Sequence, residues 1–157
     1  MTTKEEKTAT AVTIRREVLK AALVATSDDD IRYTLSGIQV HPDGMVEATD
    51  GHILVRITDQ HAYDAADFPQ KGIPPVVALS APAVFAGAAV EKVLRGMAKK
   101  ATIPILQTAL VGQAEDGRAK IASTDLDVPI VAEALTDVTF PRTDKAIVEA
   151  GDRPDVI

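Results

Sequence analysis

The chain carries the same pair of turns twice, and this repetition constrains its fold more than any other feature. In the first half Asp43-Gly44 is followed by Thr49-Asp50; in the second, Asp116-Gly117 is followed by Thr124-Asp125. Asp-Gly between apolar runs is a hairpin signal, because glycine takes a positive φ without steric cost. Around these turns the hydrophobic pattern predicts a strand near 8–14, a helix over 15–26, and strands near 31–40, 45–49 and 52–58. The second half reads in the same order: a strand at 75–80, a helix over 82–100, and strands near 103–112, 118–124 and 127–136. Ser80 ahead of Pro82 supplies a start signal for the second helix. Between the halves, residues 59–75 contain Pro69, Gly72, Pro74 and Pro75 and predict a crossover loop. The pattern is therefore βαβββ, written twice.

Composition bounds what such a repeat is made of. A chain of 157 residues is one domain by size and long enough to bury a substantial core. Aromatic residues are only 3%, so that core is built from Val, Ile, Leu and Ala. Cysteine is absent, which excludes disulfides, thiolate catalysis and Cys-ligated zinc. No run is long enough to span a membrane, and the first residues, Met1 to Lys7, lack the apolar stretch of a signal peptide. A cytoplasmic location is the expectation.

The net charge is -6, yet the basic residues are not spread evenly. The two predicted helices hold seven of the 17 Lys and Arg residues and two of the 23 acidic ones, so they carry +5 and the remainder -11. Val90, Val93, Leu94 and Met97 follow the i, i+3, i+4, i+7 spacing of a buried face. Lys92, Arg95 and Lys99 fall opposite them. By itself this describes an ordinary solvated helix face.

Catalytic and metal chemistry find no pattern to rest on. His41, His52 and His61 have Asp43, Asp50, Asp59 and Asp64 nearby in sequence, but none is paired at i, i+4 on a predicted helix, and a metal needs three or four convergent ligands. No Gly-x-Ser-x-Gly elbow is present around Ser27, Ser36, Ser80 or Ser123. Asp28-Asp29-Asp30 lacks the glycine and glutamate of an EF-hand loop. P-loop and dinucleotide fingerprints are absent as well. The expectation is a non-enzyme without cofactor or metal.

Three segments together point to a family. Ile31-Arg32-Tyr33-Thr34-Leu35-Ser36-Gly37-Ile38, then Glu47-Ala48-Thr49-Asp50-Gly51-His52-Ile53-Leu54, then Phe140-Pro141 with Asp144-Lys145-Ala146-Ile147 occur in this order. The set resembles the middle domain of the bacterial DNA polymerase III sliding clamp, the beta subunit, over roughly residues 12–148. The resemblance implies an α+β domain of two βαβββ repeats, with two helices packed on antiparallel sheet. It also implies a non-enzymatic processivity role in DNA replication, in which helices line a hole and face DNA phosphates while the outer sheets stay acidic. Carried over by position, the DNA-facing residues are Arg15, Arg16, Lys20, Tyr33, Lys92, Arg95, Lys99 and Lys100.

The same resemblance implies a pocket for short linear peptides of polymerases and the clamp loader. One wall comprises Leu35, Thr49, Gly51, His52, Ile53 and Leu54, and Pro141, Lys145, Ala146 and Ile147 form the lower rim. This chain departs from the family's pattern at Ile53, where arginine is usual, and at Thr143, where an aromatic is usual. On the DNA side Asp29 replaces a polar amide and Thr34 a second tyrosine. The family's subunit has three such domains, whereas residues 1–148 read as one and 149–157 as a linker-like tail, so the pocket is expected to be a half-site. Three roles follow as alternatives: six copies closing a ring on duplex DNA, a single-domain module that competes for clamp-binding peptides, or a structural protein that keeps the fold.

Overall fold

A computed structural model describes residues 11–26, 37–49, 53–58, 63–99 and 103–135. In its first half the order is β1 (Val12–Arg15), α1 (Arg16–Val24), β2 (Gly37–Val40), β3 (Val46–Thr49) and β4 (Leu54–Ile57). A two-residue strand β5 (Val76–Val77) stands between the halves. The second half then runs β6 (Ala83–Ala86), α2 (Gly87–Arg95), β7 (Thr108–Ala114), β8 (Ala119–Thr124) and β9 (Pro129–Glu133). The βαβββ repeat is present, and its two helices are shorter than the pattern predicts.

Each half gives its first strand to the other half's sheet. One antiparallel sheet has the order β4-β3-β2-β6, and the other β9-β8-β7-β1, with β5 also paired to β7. The swap makes the two halves one folding unit, since neither sheet is complete without a strand from the distant half. It also corrects the reading of the second repeat. Its first strand is not 75–80 but β6, which lies inside the predicted helix 82–100. Val84 and Phe85 are buried there, and Ile38 of β2 pairs with Phe85. Pro82 precedes a strand, not a helix.

Strand runs straight into helix at both junctions. Arg15 and Ala86, the residues before α1 and α2, are extended and provide no side-chain cap. The helix starts are therefore held by sheet pairing, Arg15 against Thr108 and Ala86 against Gly37. Arg15 thus belongs to β1 and not to the helix predicted for it. A similar shortening occurs before β7: Pro104–Gln107 form a 3-10 turn, and the strand starts at Thr108.

The two Asp-Gly hairpins are built alike, atom for atom. His41 pairs with Met45 and Ala114 with Arg118 across three-residue loops, and the Gly44 and Gly117 N–H groups donate back to His41 and Ala114. Asp43 accepts from the Met45 N–H at 2.9 Å, and Asp116 from the Arg118 N–H at 2.9 Å. Gly44 has φ +93° and Gly117 +82°. A three-residue hairpin needs that left-handed residue at this position, so the glycine is dictated by the turn.

Between sheets and helices lies one apolar core that includes Leu19, Ile38, Val90, Val93 and Ile121, with the aromatic Phe85 added to the aliphatic residues expected. Helix α1 packs against β3 and β4, α2 against β8 and β9, and the helices touch each other. A second cluster covers the opposite face of the β7–β8 sheet, where Phe68 and Ile73 of the predicted crossover loop lie over Leu110 and Ala122. That segment is a lid on the sheet as well as a connection.

Candidate nucleic-acid interface

Helices α1 and α2 meet over the shared core, and the seam between them opens outward as a groove. Arg16 and Lys20 line it from α1, Arg95 from the last turn of α2, and Lys99 from the turn that follows. Leu94 and Met97 supply an apolar floor, and the volume is about 410 Å³. The helical spacing explains the arrangement. Val18, Leu19 and Ala22 of α1 are buried, as are Val90 and Val93 of α2, and the basic residues flank those stripes. Lys20, Arg95 and Lys99 are exposed. Four cations around one cleft raise the local positive potential in a chain whose net charge is negative.

The sequence-derived list divides on this geometry. The fold brings Arg16, Lys20, Arg95 and Lys99 together. Lys92 is exposed on α2 but does not line the groove, and Arg15 sits on β1 outside it. Tyr33 and Lys100 lie outside the described residues. Of the expected peptide half-pocket, Thr49, Ile53 and Leu54 are described. The Thr49 hydroxyl donates to the Ile53 carbonyl at 2.6 Å, and Thr49 pairs with Leu54 across the β3–β4 ladder. Ile53 is 49% exposed, an apolar side chain in solvent where the resemblance would place a guanidinium. Leu35, Gly51, His52, Pro141, Lys145, Ala146 and Ile147 lie outside the described residues.

Two groups escaped the sequence reading. Glu47 is 1% exposed although it points away from the main core, on the outer face of the first sheet. Arg56 donates to its Oε2 from Nε at 2.9 Å, and Gln39 donates to Oε1 at 3.3 Å. His41 Nε2 pairs with the same Oε1. The row Val84–Gln39–Glu47–Arg56 has its counterpart in the second half as Thr13–Leu110–Ala122–Val131. One row is polar and the other apolar, which no periodicity reveals, since both alternate correctly.

The second group is the β8–β9 turn. Leu126 has φ +81°, the single non-glycine residue with positive φ among those described. Thr124 and Pro129 close this turn as Thr49 and Leu54 close the first-half one, so Leu126 occupies the position of Gly51. A β-carbon there costs about 1 kcal/mol or more. The Leu126 N–H donates to the Thr124 hydroxyl oxygen at 3.0 Å, and the N–H groups of Asp127 and Val128 donate to Asp125 at 2.9 and 2.8 Å. Those backbone donors hold the Asp125 carboxyl below its ordinary range. Leu126 and Val128 are left 52% and 58% exposed.

With sheet swap, helix pair and repeat in view, comparison with solved structures is decisive for the fold. A DNA polymerase sliding clamp from Bacillus subtilis superposes with a TM-score of 0.50 at 18% identity, covering 93% of this chain and 39% of that one. A protein assigned as a DNA polymerase III beta subunit of Eubacterium rectale ATCC 33656 superposes with a TM-score of 0.51 at 11% identity, covering 87% and 34%. The chain has the sliding-clamp fold. It spans little more than a third of the length of these clamp chains. No family model matches it, and no curated protein does. At such identities the likeness to clamps is one of architecture. No helix here is long and apolar enough to cross a membrane, and among the described residues no three His, Cys, Asp or Glu side chains are grouped to hold a metal.

Proposed function

We propose that this clamp-fold domain acts without catalysis as a DNA-tethering element of the replication machinery, with the α1–α2 groove facing duplex phosphates. The observation that carries the reading is the convergence of Arg16, Lys20, Arg95 and Lys99 on one cleft in a chain of net charge -6. Lys and Arg clusters without base-reading elements favour sequence-independent backbone contacts, whose affinity falls steeply with salt. The beta-subunit and clamp descriptions of the two similar structures agree with this reading.

The test is duplex DNA binding by fluorescence anisotropy across a salt series. Weak binding independent of sequence is expected, lost when Lys20 and Arg95 are both changed to Glu and retained largely in Lys92→Glu. Equal loss from Lys92→Glu would spread the interface over the whole of α2, and unchanged binding in the double variant would move it off the groove.

Two modes of action fit this reading, ring closure through sheet edges and an isolated competitor module. Among the described residues, β4 and β9 are each paired on one side only, and they stand at equivalent edges of the two sheets. An edge strand of one copy pairing with the other edge of the next is a heterologous contact, which closes when the rotation per step suits. Partner peptides of polymerase or loader type would bind beside Thr49, Ile53 and Leu54.

A further inference from the structure

We infer that the β8–β9 turn of one copy docks into the α1–α2 groove of a second copy, so that the chain is its own competitor for the groove. The two surfaces are complementary in polarity and charge. The turn is Asp125-Leu126-Asp127-Val128, two exposed apolar side chains alternating with two exposed carboxylates. The groove is the reverse, with the apolar pair Leu94 and Met97 beneath a rim of Arg16, Lys20, Arg95 and Lys99. Leu126 and Val128 fit the floor while Asp125 and Asp127 meet the rim.

The turn is built to present its apolar side chains. Its backbone is tied by Thr124 and Asp125, and Leu126 is held at φ +81° where the equivalent position in the first half carries glycine. A leucine kept in a left-handed conformation while its side chain remains in solvent gains nothing within its own fold, which points to contact elsewhere. No residue of the turn lines the groove of its own chain, so each copy carries both halves of the contact.

The turn's occupancy of the groove would exclude DNA, and that consequence alone rests on the functional reading above. Self-association itself does not. The experiment is sedimentation velocity of the full chain over a concentration series, with Leu126→Gly, which accepts the same backbone angle, and with Lys20→Glu/Arg95→Glu. Wild type is expected to rise in average mass with concentration and to fall back at high salt. Each variant alone should stay monomeric, one lacking the knob and the other the groove. An equimolar mixture should associate again, because Leu126→Gly retains the groove and the double variant retains the turn.

A wild type that stays monomeric throughout, a Leu126→Gly variant that associates like wild type, or a mixture that fails to associate would each overturn the proposal. Association surviving in Leu126→Gly would assign the contact to the sheet edges instead. Leu126→Gly is expected to bind duplex DNA at least as well as wild type. Absence of DNA binding in all forms would remove the DNA reading while leaving the self-contact standing.

Discussion

Arg56 stands directly across the β3–β4 ladder from Glu47, and its Nη2 lies 2.8 Å from the Glu47 carboxylate on the outer face of the sheet. The Arg56 side chain is 25% exposed and that of Glu47 2%. The carboxylate has therefore left water; Arg56 compensates its charge, and Gln39 and His41 are hydrogen-bonded to it. Removing one member of such a group leaves the other charge poorly solvated, which costs more than the pair itself contributes. Glu47→Ala is expected to destabilise the domain by roughly 3 kcal/mol, the low end for buried pairs because Arg56 retains some water. Urea unfolding measures it; a change within error would mean Arg56 and His41 reach solvent freely.

Glycines separate steric from conformational cost. A β-carbon at Gly96, just after α2, would lie 2.4 Å from Ile130 Cγ1 and 2.8 Å from Ser123 Oγ. The Ser123 hydroxyl already donates to the Val93 carbonyl, fastening the end of α2 onto β8. Gly96→Ala should therefore push helix from sheet and cost about 1–3 kcal/mol. At Gly117 a β-carbon meets nothing within 4 Å, so only the positive φ opposes it, and Gly117→Ala should cost nearer 1 kcal/mol. Melting temperatures of the pair compare them directly, and equal losses would contradict the close approach of α2.

Acid should loosen the β8–β9 hairpin before alkali does. Asp125 is held below its ordinary pKa by the Val128 and Asp127 N–H groups, and Glu133 by hydrogen bonds from Lys120 and Arg118. Lys120 and Arg118 are raised in turn, chiefly by hydrogen bonding to Glu133. A lowered carboxyl contributes stability that is present above its unfolded value and lost as pH falls through the folded one. A raised cation loses its contribution only as pH rises through its folded value. The window of constant stability thus lies between the ordinary, unfolded-state values of the carboxyls and of the cations, and stability falls off from each bound towards the shifted folded value. The amide shift of Val128, followed by NMR, should report loss of its hydrogen bond to Asp125 below the ordinary carboxylate range. All these groups are at the surface, so salt should mute the effect.

The peptide half-pocket is open to a mapping experiment. A peptide with a leading glutamine and two trailing apolar residues should shift the resonances of Thr49, Ile53 and Leu54. With a single wall the affinity should be in the high micromolar range, roughly -5 to -6 kcal/mol. Leu54→Asp should abolish the shifts with the fold preserved. Perturbation confined to the α1–α2 groove would reject the pocket.

From residues alone, the repeat, both Asp-Gly hairpins, the two helices and the family likeness were legible, because each depends on local spacing or on the left-handed backbone that glycine allows. Arg16, Lys20 and Arg95 are legible as cations on helix faces for the same reason, whereas Lys99, inside the predicted helix, stands in the turn after α2. What local pattern does not encode is which strand completes which sheet. The extended stretch at Ala83–Ala86 looks helical in sequence because an apolar run beside a helix has no period of its own; pairing with β2 decides it. The crossover loop's role as a cover, the burial of Glu47 and the strained Leu126 share that origin. Each depends on a neighbour supplied from elsewhere in the chain or on a turn closed by strand register. Tertiary structure alone separated Lys92 from the groove and joined the other four cations from two helices and the turn after α2, since convergence is set by how the helices pack and not by where their charges fall in sequence.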